Sequence, residues 1–455
     1  MKRRIAMVLA VATLVTSISI PTFAADQGWV QQGSDWYWKN AKGENVEETW
    51  KVWEPDGRKY YLGEDGKMLR DTLFDVNDKW YYVNEYGTQS VNSWRLLNNE
   101  DDDGDRWYFF DGSGKAYEKG WKQINGKYYH FTDSTMDYGW LTAEGEMMDE
   151  DEDDAWQEAV YYVGDNETGW RRQNEWVKVE EFDTDYYPDQ DVVWLWFGSN
   201  GKKVSACTKK VNGKYYAFDE NGAMCYEWAG SATPSDATYK YYDELDGSQK
   251  RGGWFEAIPS EEQDADAHAD EEYKWFYANK SGQLYRDGIK TIGGKKYIFD
   301  KNGINRRGLL VLDRDKNIVE IIEEDPEEYP SPETLHIAHN GGDIVMTDKS
   351  GAILTGKKTV TLDGEKYTMY FDKQGLAVHG LDKGYLYDAG VLIKANKKDD
   401  GYKYMMYSVG DNNTYLVNTS GKVQKSGTYK DSDKQWVVTV TEDGKYNVVD
   451  SFIKE

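Results

Sequence analysis

Tryptophans recur in this 455-residue chain at a fixed interval: Trp36 and Trp50, Trp80 and Trp94, and Trp107 and Trp121 are each 14 residues apart. Tyr60 keeps that interval to Phe74, and Tyr128 reaches Trp140 two residues early. What such residues share chemically is a π face. Several faces around one space attract a cation without hydrogen-bonding demands, a quaternary ammonium above all, at about 0.5 to 2 kcal/mol per ring. A three-ring site is weak, on the order of millimolar, but a row of sites holds a polymer through effective concentration. Flat rings also stack on sugars. The competing reading is structural, because small hairpins need large side chains to build any core.

The elements that must position these rings are short strands. From Gly120 to Phe131 the chain reads Gly-Trp-Lys-Gln-Ile-Asn-Gly-Lys-Tyr-Tyr-His-Phe, and a second Gly-Trp follows at Gly139-Trp140. Asn125-Gly126 between aromatic-rich runs predicts a hairpin with a type I′ turn. Further strands are expected at Asp35 to Trp38, Lys59 to Leu62, Lys79 to Val83 and Arg106 to Phe110. Turns fall between them at Glu64-Asp65-Gly66-Lys67 and Asp111-Gly112-Ser113-Gly114-Lys115. Beyond Trp254 the frame persists while Gly-Trp gives way to Gly288-Ile289, Gly308-Leu309 and Gly380-Leu381. Aliphatic side chains fill the same core position but offer no π face.

A formal charge of −27 makes nucleic acid an unlikely class of partner. The aromatic content, 15%, and a mean hydropathy of −0.85 exclude both a disordered and a membrane-embedded chain. Residues 1–24 read as a secretory signal peptide, with Lys2, Arg3 and Arg4, an apolar run from Ile5, and Thr22-Phe23-Ala24 before the cleavage point. No lipidation cysteine or apolar C-terminal anchor is expected. Cys207 and Cys225 follow Asn-Gly pairs at similar places in successive units, so a disulfide and two separate thiols are both compatible with export.

The acidic runs Glu100 to Asp105 and Asp149 to Asp154 lack calcium-loop spacing and read as solvated loops. Asp313 to Glu324 lacks the glycine that a calcium loop requires and reads as a hairpin turn. His336 and His339 have no Cys or carboxylate neighbours in a metal-ligand pattern. No catalytic constellation is apparent, so neither enzyme activity nor a cofactor or metal is expected.

The pattern Gly-Trp, x-Asn-Gly, Lys-Trp/Tyr-Tyr, Asp-x-x-Gly, seen in parts at Gly120 to Phe131, Trp80-Tyr81-Tyr82 and Val211 to Gly222, resembles the choline-binding or cell-wall-binding repeats of secreted Gram-positive proteins, which also occur in glucan-binding domains. The resemblance implies an all-β fold, a repetitive β-hairpin solenoid that is irregular and degenerate in the C-terminal half. It implies aromatic-rich repeats over 25–230, an irregular acidic linker over 231–270, and degenerate repeats over 271–455. Choline of teichoic acid would then sit in cages of a strand Trp, the next Gly-Trp and a ring of the following unit. Carried over by position, the cages are Trp36, Trp50 and Tyr60; Trp80, Trp94 and Trp107; and Trp107, Trp121 and Tyr128, with Trp140 as a further candidate. The function expected is non-catalytic binding of choline-bearing wall polymer by a secreted protein held non-covalently on the wall. The alternatives are binding of an α-glucan or other polysaccharide, or a structural or adhesive surface role, and a host or surface protein partner stays open.

Overall fold

The computed structural model describes residues 27–99, 104–149, 154–180, 182, 187, 190–229, 240–324, 329–397, 402–409, 414–430, 436–441 and 447–453. The signal peptide, most of both acidic runs and part of the expected linker lie outside these residues. The described chain is all-β, a succession of antiparallel hairpins with three short helices, as the repeat pattern predicts. It separates into two compact units, one of residues 1–209 with 218–224 and one of residues 210–217 with 225–455.

The N-terminal unit is the simpler. Its hairpins include Gly28–Gln32 with Asp35–Lys39, Thr49–Trp53 with Arg58–Leu62, Thr72–Asp75 with Trp80–Val83, and Ser93–Asn99 with Gly104–Phe110. Gly120–Ile124 then pairs with Lys127–Thr132, turning on Asn125 at φ 49° and Gly126 at φ 85°. Both central residues are left-handed, as a type I′ turn requires.

What joins one hairpin to the next is written in the Asp-x-x-Gly turns. The Asp111 carboxylate accepts the amides of Ser113 and Lys115 at 2.8 and 3.1 Å, and Asn84 accepts those of Tyr86 and Thr88. After several of these turns, one amide reaches back to the preceding hairpin while the next returns to its own. Met68 N donates to Trp36 O at 2.8 Å and Leu69 N to Tyr61 O; Ala116 N donates to Trp80 O at 2.9 Å and Tyr117 N to Phe109 O. Successive turns approach closely. Gly114, at φ 81°, faces the Gln89 side chain so tightly that a Cβ would lie 2.2 Å from Gln89 Nε2.

The C-terminal unit keeps the hairpins and then widens. Glu227–Ala229 pairs with Lys240–Tyr242, and Gly253–Ala257 with Lys274–Ala278 across the helix Ala265–Ala269. The described part of the stretch expected to be an irregular linker thus holds the strands Lys240–Tyr242 and Gly253–Ala257 and a short helix. Its acidic run caps and enters a helix, with Asp264 accepting the Ala267 amide at 3.2 Å. Beyond Gly288–Ile292 with Lys295–Phe299 come one three-stranded and two five-stranded sheets. Asp313 to Asn317 forms the turn between Leu309–Leu312 and Ile318–Glu323, as read from the sequence.

His336 and His339 lie on the helix Pro332–His339, and the structure supplies the carboxylate that the sequence did not show near them. Buried Asp388 accepts from His336 Nδ1 at 2.8 Å, lies 3.2 Å from His379 Nδ1 and receives the Tyr407 hydroxyl. The His379 ring stacks on His339 with centroids 4.2 Å apart. Among the described residues no three such side chains are placed to hold a metal ion. Burial, then the neighbouring His339, holds His379 below the ordinary histidine pKa despite Asp388. The unfolded chain therefore binds a proton there more readily than the folded one. Stability of this unit should be full above the unfolded value of about 6.5 and fall as pH drops below it. Melting temperatures between pH 7.5 and 5 should show that fall, and His379→Gln should flatten it; an equally steep profile in the variant would reject His379 as its source.

Candidate functional site

The alternation of each strand decides which rings can meet. In the second hairpin Trp50 pairs with Tyr61 and Lys51 with Tyr60, and directly paired residues share a face. Tyr60 therefore shares its face with Lys51 and Trp53, not with Trp50. Around it lies a cavity of ≈ 230 Å³ lined by Trp29, Trp36, Trp53, Tyr60, Met68, Arg70 and Tyr86. The Trp29 ring lies 5.5 Å from Tyr60 and 6.4 Å from Trp53. Met68 takes part because its amide is the one that docks on Trp36. Among the described residues Arg70 has no carboxylate within ion-pair distance.

Of the first expected cage, then, Trp36 and Tyr60 come together and Trp50 does not. Trp50 packs within the unit against Tyr61, Phe74 and Tyr81, at 5.0, 5.8 and 5.3 Å. Trp29, Trp53, Met68, Arg70 and Tyr86 were not foreseen. Strand parity alone would have selected Trp53 over Trp50.

In the second set, Trp94 meets Trp107 edge-on at 6.3 Å but also packs on Phe109, Tyr129 and Phe131 at 5.2, 4.8 and 5.7 Å. Trp80 is 41% exposed and has no ring partner among the described residues. In the third, Trp121 and Tyr128 share a face, since they pair with His130 and Gln123. Trp107 belongs to the cluster around Phe131. The space over Trp121 and Tyr128 is taken by the Arg171 guanidinium, 5.1 and 4.4 Å from the two ring centroids. Trp140 lies 4.2 Å from Tyr162 and packs into a core with Phe197.

Cys207 is exposed, Cys225 is half-buried, and the two are not bridged. The disulfide expected as one option is thus not formed. Equivalent places in successive repeats impose no closeness on two sulfurs, and a bridge needs their Cα atoms within about 7 Å.

A family model described as a cell wall binding repeat, of choline-binding type, matches residues 102–116 and 119–135. The matched stretches fall on the strands Gly104–Phe110, Gly120–Ile124 and Lys127–Thr132 and their turns. A choline-binding domain from Streptococcus pneumoniae is 31% identical over 21% of this chain and all of that domain, with a TM-score of 0.17. The chain belongs to the cell-wall-binding repeat family.

Choline-binding protein F of S. pneumoniae is 18% identical, over 79% of this chain and 100% of that one, with a TM-score of 0.33. Among curated proteins, glucosyltransferase-S of Streptococcus downei is 25% identical over 245 residues, 54% of this chain and 14% of that enzyme. This cell-wall-binding repeat protein thus spans a small fraction of the length of such a curated relative. No helix among its described residues is long and apolar enough to cross a membrane.

Proposed function

We propose that the protein binds wall polymer without catalysis by holding choline groups of teichoic acid at the cavity of Trp29, Trp36, Trp53 and Tyr60. The observation that carries this reading is the cavity itself. Three indoles and the phenols of Tyr60 and Tyr86 surround a space large enough for a trimethylammonium group, with the neutral Met68 side chain and Arg70 also on its wall. A quaternary ammonium there gains about 0.5 to 2 kcal/mol per ring and leaves no hydrogen bond unmade. Arg70 on the same cavity suits the phosphodiester that carries choline in such a polymer, as a charge-assisted hydrogen-bond donor. Secretion by the 1–24 leader and non-covalent retention on the wall belong to the same reading.

Polysaccharide binding is the second reading. Its support is Arg70, whose fixed charge opposes an isolated cation but suits sugar hydroxyls, together with the similarity to glucosyltransferases.

Tryptophan fluorescence of the leader-free protein, titrated with choline into the tens of millimolar against matched salt, tests the proposal. A saturable change with a midpoint on the order of millimolar is expected, and it should vanish in Trp36→Ala. A flat wild-type trace, with a response to malto- or isomalto-oligosaccharides, would move the assignment to polysaccharide.

A further inference from the structure

Met68 and Arg171 occupy the same place in the repeat. Each follows a turn and sends its amide back to the aromatic strand of an earlier hairpin, Met68 to Trp36 O at 2.8 Å and Arg171 to Tyr128 O at 2.7 Å. At Met68 a neutral side chain leaves an open aromatic cavity. At Arg171 the side chain enters the aromatic space instead.

The guanidinium sits 4.4 Å from the Tyr128 centroid and 5.1 Å from that of Trp121, and Trp121 lies 5.0 Å from the Tyr161 ring. Arg171 Nε is buried with no hydrogen-bond partner, and Nη2 donates to Gln173 Oε1 at 3.1 Å. Among the described residues no carboxylate lies within ion-pair distance of it, so the cation is held chiefly by ring faces. Gly201 closes the remaining side, where a Cβ would lie 2.3 Å from Arg171 Nε. Burial pulls the guanidinium pKa below its ordinary value, as partial removal from water should.

We propose that Arg171 is an internal ligand: its guanidinium fills the aromatic cage of Trp121 and Tyr128, closes that repeat to external quaternary ammonium groups, and makes the residue after the turn the determinant of which cages are open. The inference shares with the proposed function the premise that these cages take quaternary ammonium ions. It makes its own claim about a different cage. Arg251 over Tyr215 at 3.9 Å and Arg307 over Trp275 at 5.6 Å, both in the C-terminal unit, place further guanidinium groups on repeat aromatics from a different place, two residues beyond the Gln249 and Asn305 amides that dock on Tyr215 and Trp275.

The test is Arg171→Met in the full leader-free chain, which installs the residue found at the open cavity, with Arg171→Ala as a second variant. Equilibrium dialysis counts bound choline. Each variant is expected to bind one choline more than wild type, with a midpoint on the order of millimolar. Methylguanidinium should raise the melting temperature of Arg171→Ala by on the order of 2 °C and leave wild type unchanged. One extra site in a variant whose wild type binds none would support the internal ligand and overturn the Trp36 cavity. Wild-type binding with no added site in a folded Arg171→Met would keep the cavity and overturn the internal ligand. No binding in either protein, with no methylguanidinium response, would overturn both.

Discussion

Trp94→Ala is expected to lower the unfolding free energy of the N-terminal unit by about 3 kcal/mol, and Trp80→Ala by less than about 1 kcal/mol. Both residues stand at repeat positions that suggest a ligand cage, so the contrast separates scaffold from surface. Trp94 packs on Trp107, Phe109, Tyr129 and Phe131. Those contacts reach into the following hairpin, so removing the indole leaves a void between two repeats that can collapse only if both move. Trp80 contributes its backbone carbonyl to Ala116 N, a bond that survives truncation, while its ring is 41% exposed. Urea unfolding followed by near-ultraviolet circular dichroism measures both. Equal losses would mean that Trp80 is as structural as Trp94, and a negligible loss at Trp94 would mean that its ring belongs to a binding surface.

The hairpins were legible in the sequence because their signals are local. Asn125-Gly126 asks for two left-handed residues, and Asp-x-x-Gly names the acceptor for the turn amides. The strands read at Lys59 to Leu62 and Lys127 to Phe131 fall within Arg58–Leu62 and Lys127–Thr132. The candidate site was legible only in part because the 14-residue spacing reports repeat position and not strand face. Trp50 and Tyr60 obey the spacing yet point to opposite sides of one hairpin. Arg171 was hidden for another reason: it stands 43 residues beyond Tyr128, past an acidic run and a second hairpin, and only the stitching amide brings it back. His379 and Asp388 meet His336 by the same kind of long-range convergence.

The repeat thus separates two tasks. Backbone amides fix the spacing of hairpins whatever side chain stands after the turn. That side chain is then free to vary between neutral, as at Met68 and Ala116, and cationic, as at Arg171 and Lys203, without loss of the stack. Lys203 shows how far this tolerance extends. Its ammonium donates to the carbonyls of Trp156 and Gln157 at 2.6 and 2.7 Å, and burial brings its pKa down to about 8. Retaining a charge that burial disfavours is consistent with a place defined by backbone register rather than by polarity.

The largest electrostatic effect is expected at Arg306 in the C-terminal unit, where Arg306→Met should cost about 3 to 5 kcal/mol. The guanidinium is almost fully buried and reaches three carboxylates: Asp300 at 2.8 Å, Asp264 at 3.0 Å and Glu324 at 3.0 Å. Its pKa is raised, because attraction to Asp300 and Glu324 outweighs burial. Removing it leaves Asp300 buried beside an apolar side chain, and burial already pushes that carboxyl above its ordinary range. Most of the loss is therefore the penalty for an uncompensated charge, not the net worth of the ion pairs. Adding Asp300→Asn should recover at least about half of it, since an Asn oxygen can still accept the Asn302 and Ile304 amides as Asn279 does in its own turn. Urea unfolding of both variants at pH 7 decides the point. If the double variant is no more stable than Arg306→Met, the guanidinium acts by bridging Asp264 and Glu324, and the buried charge on Asp300 is not what it offsets.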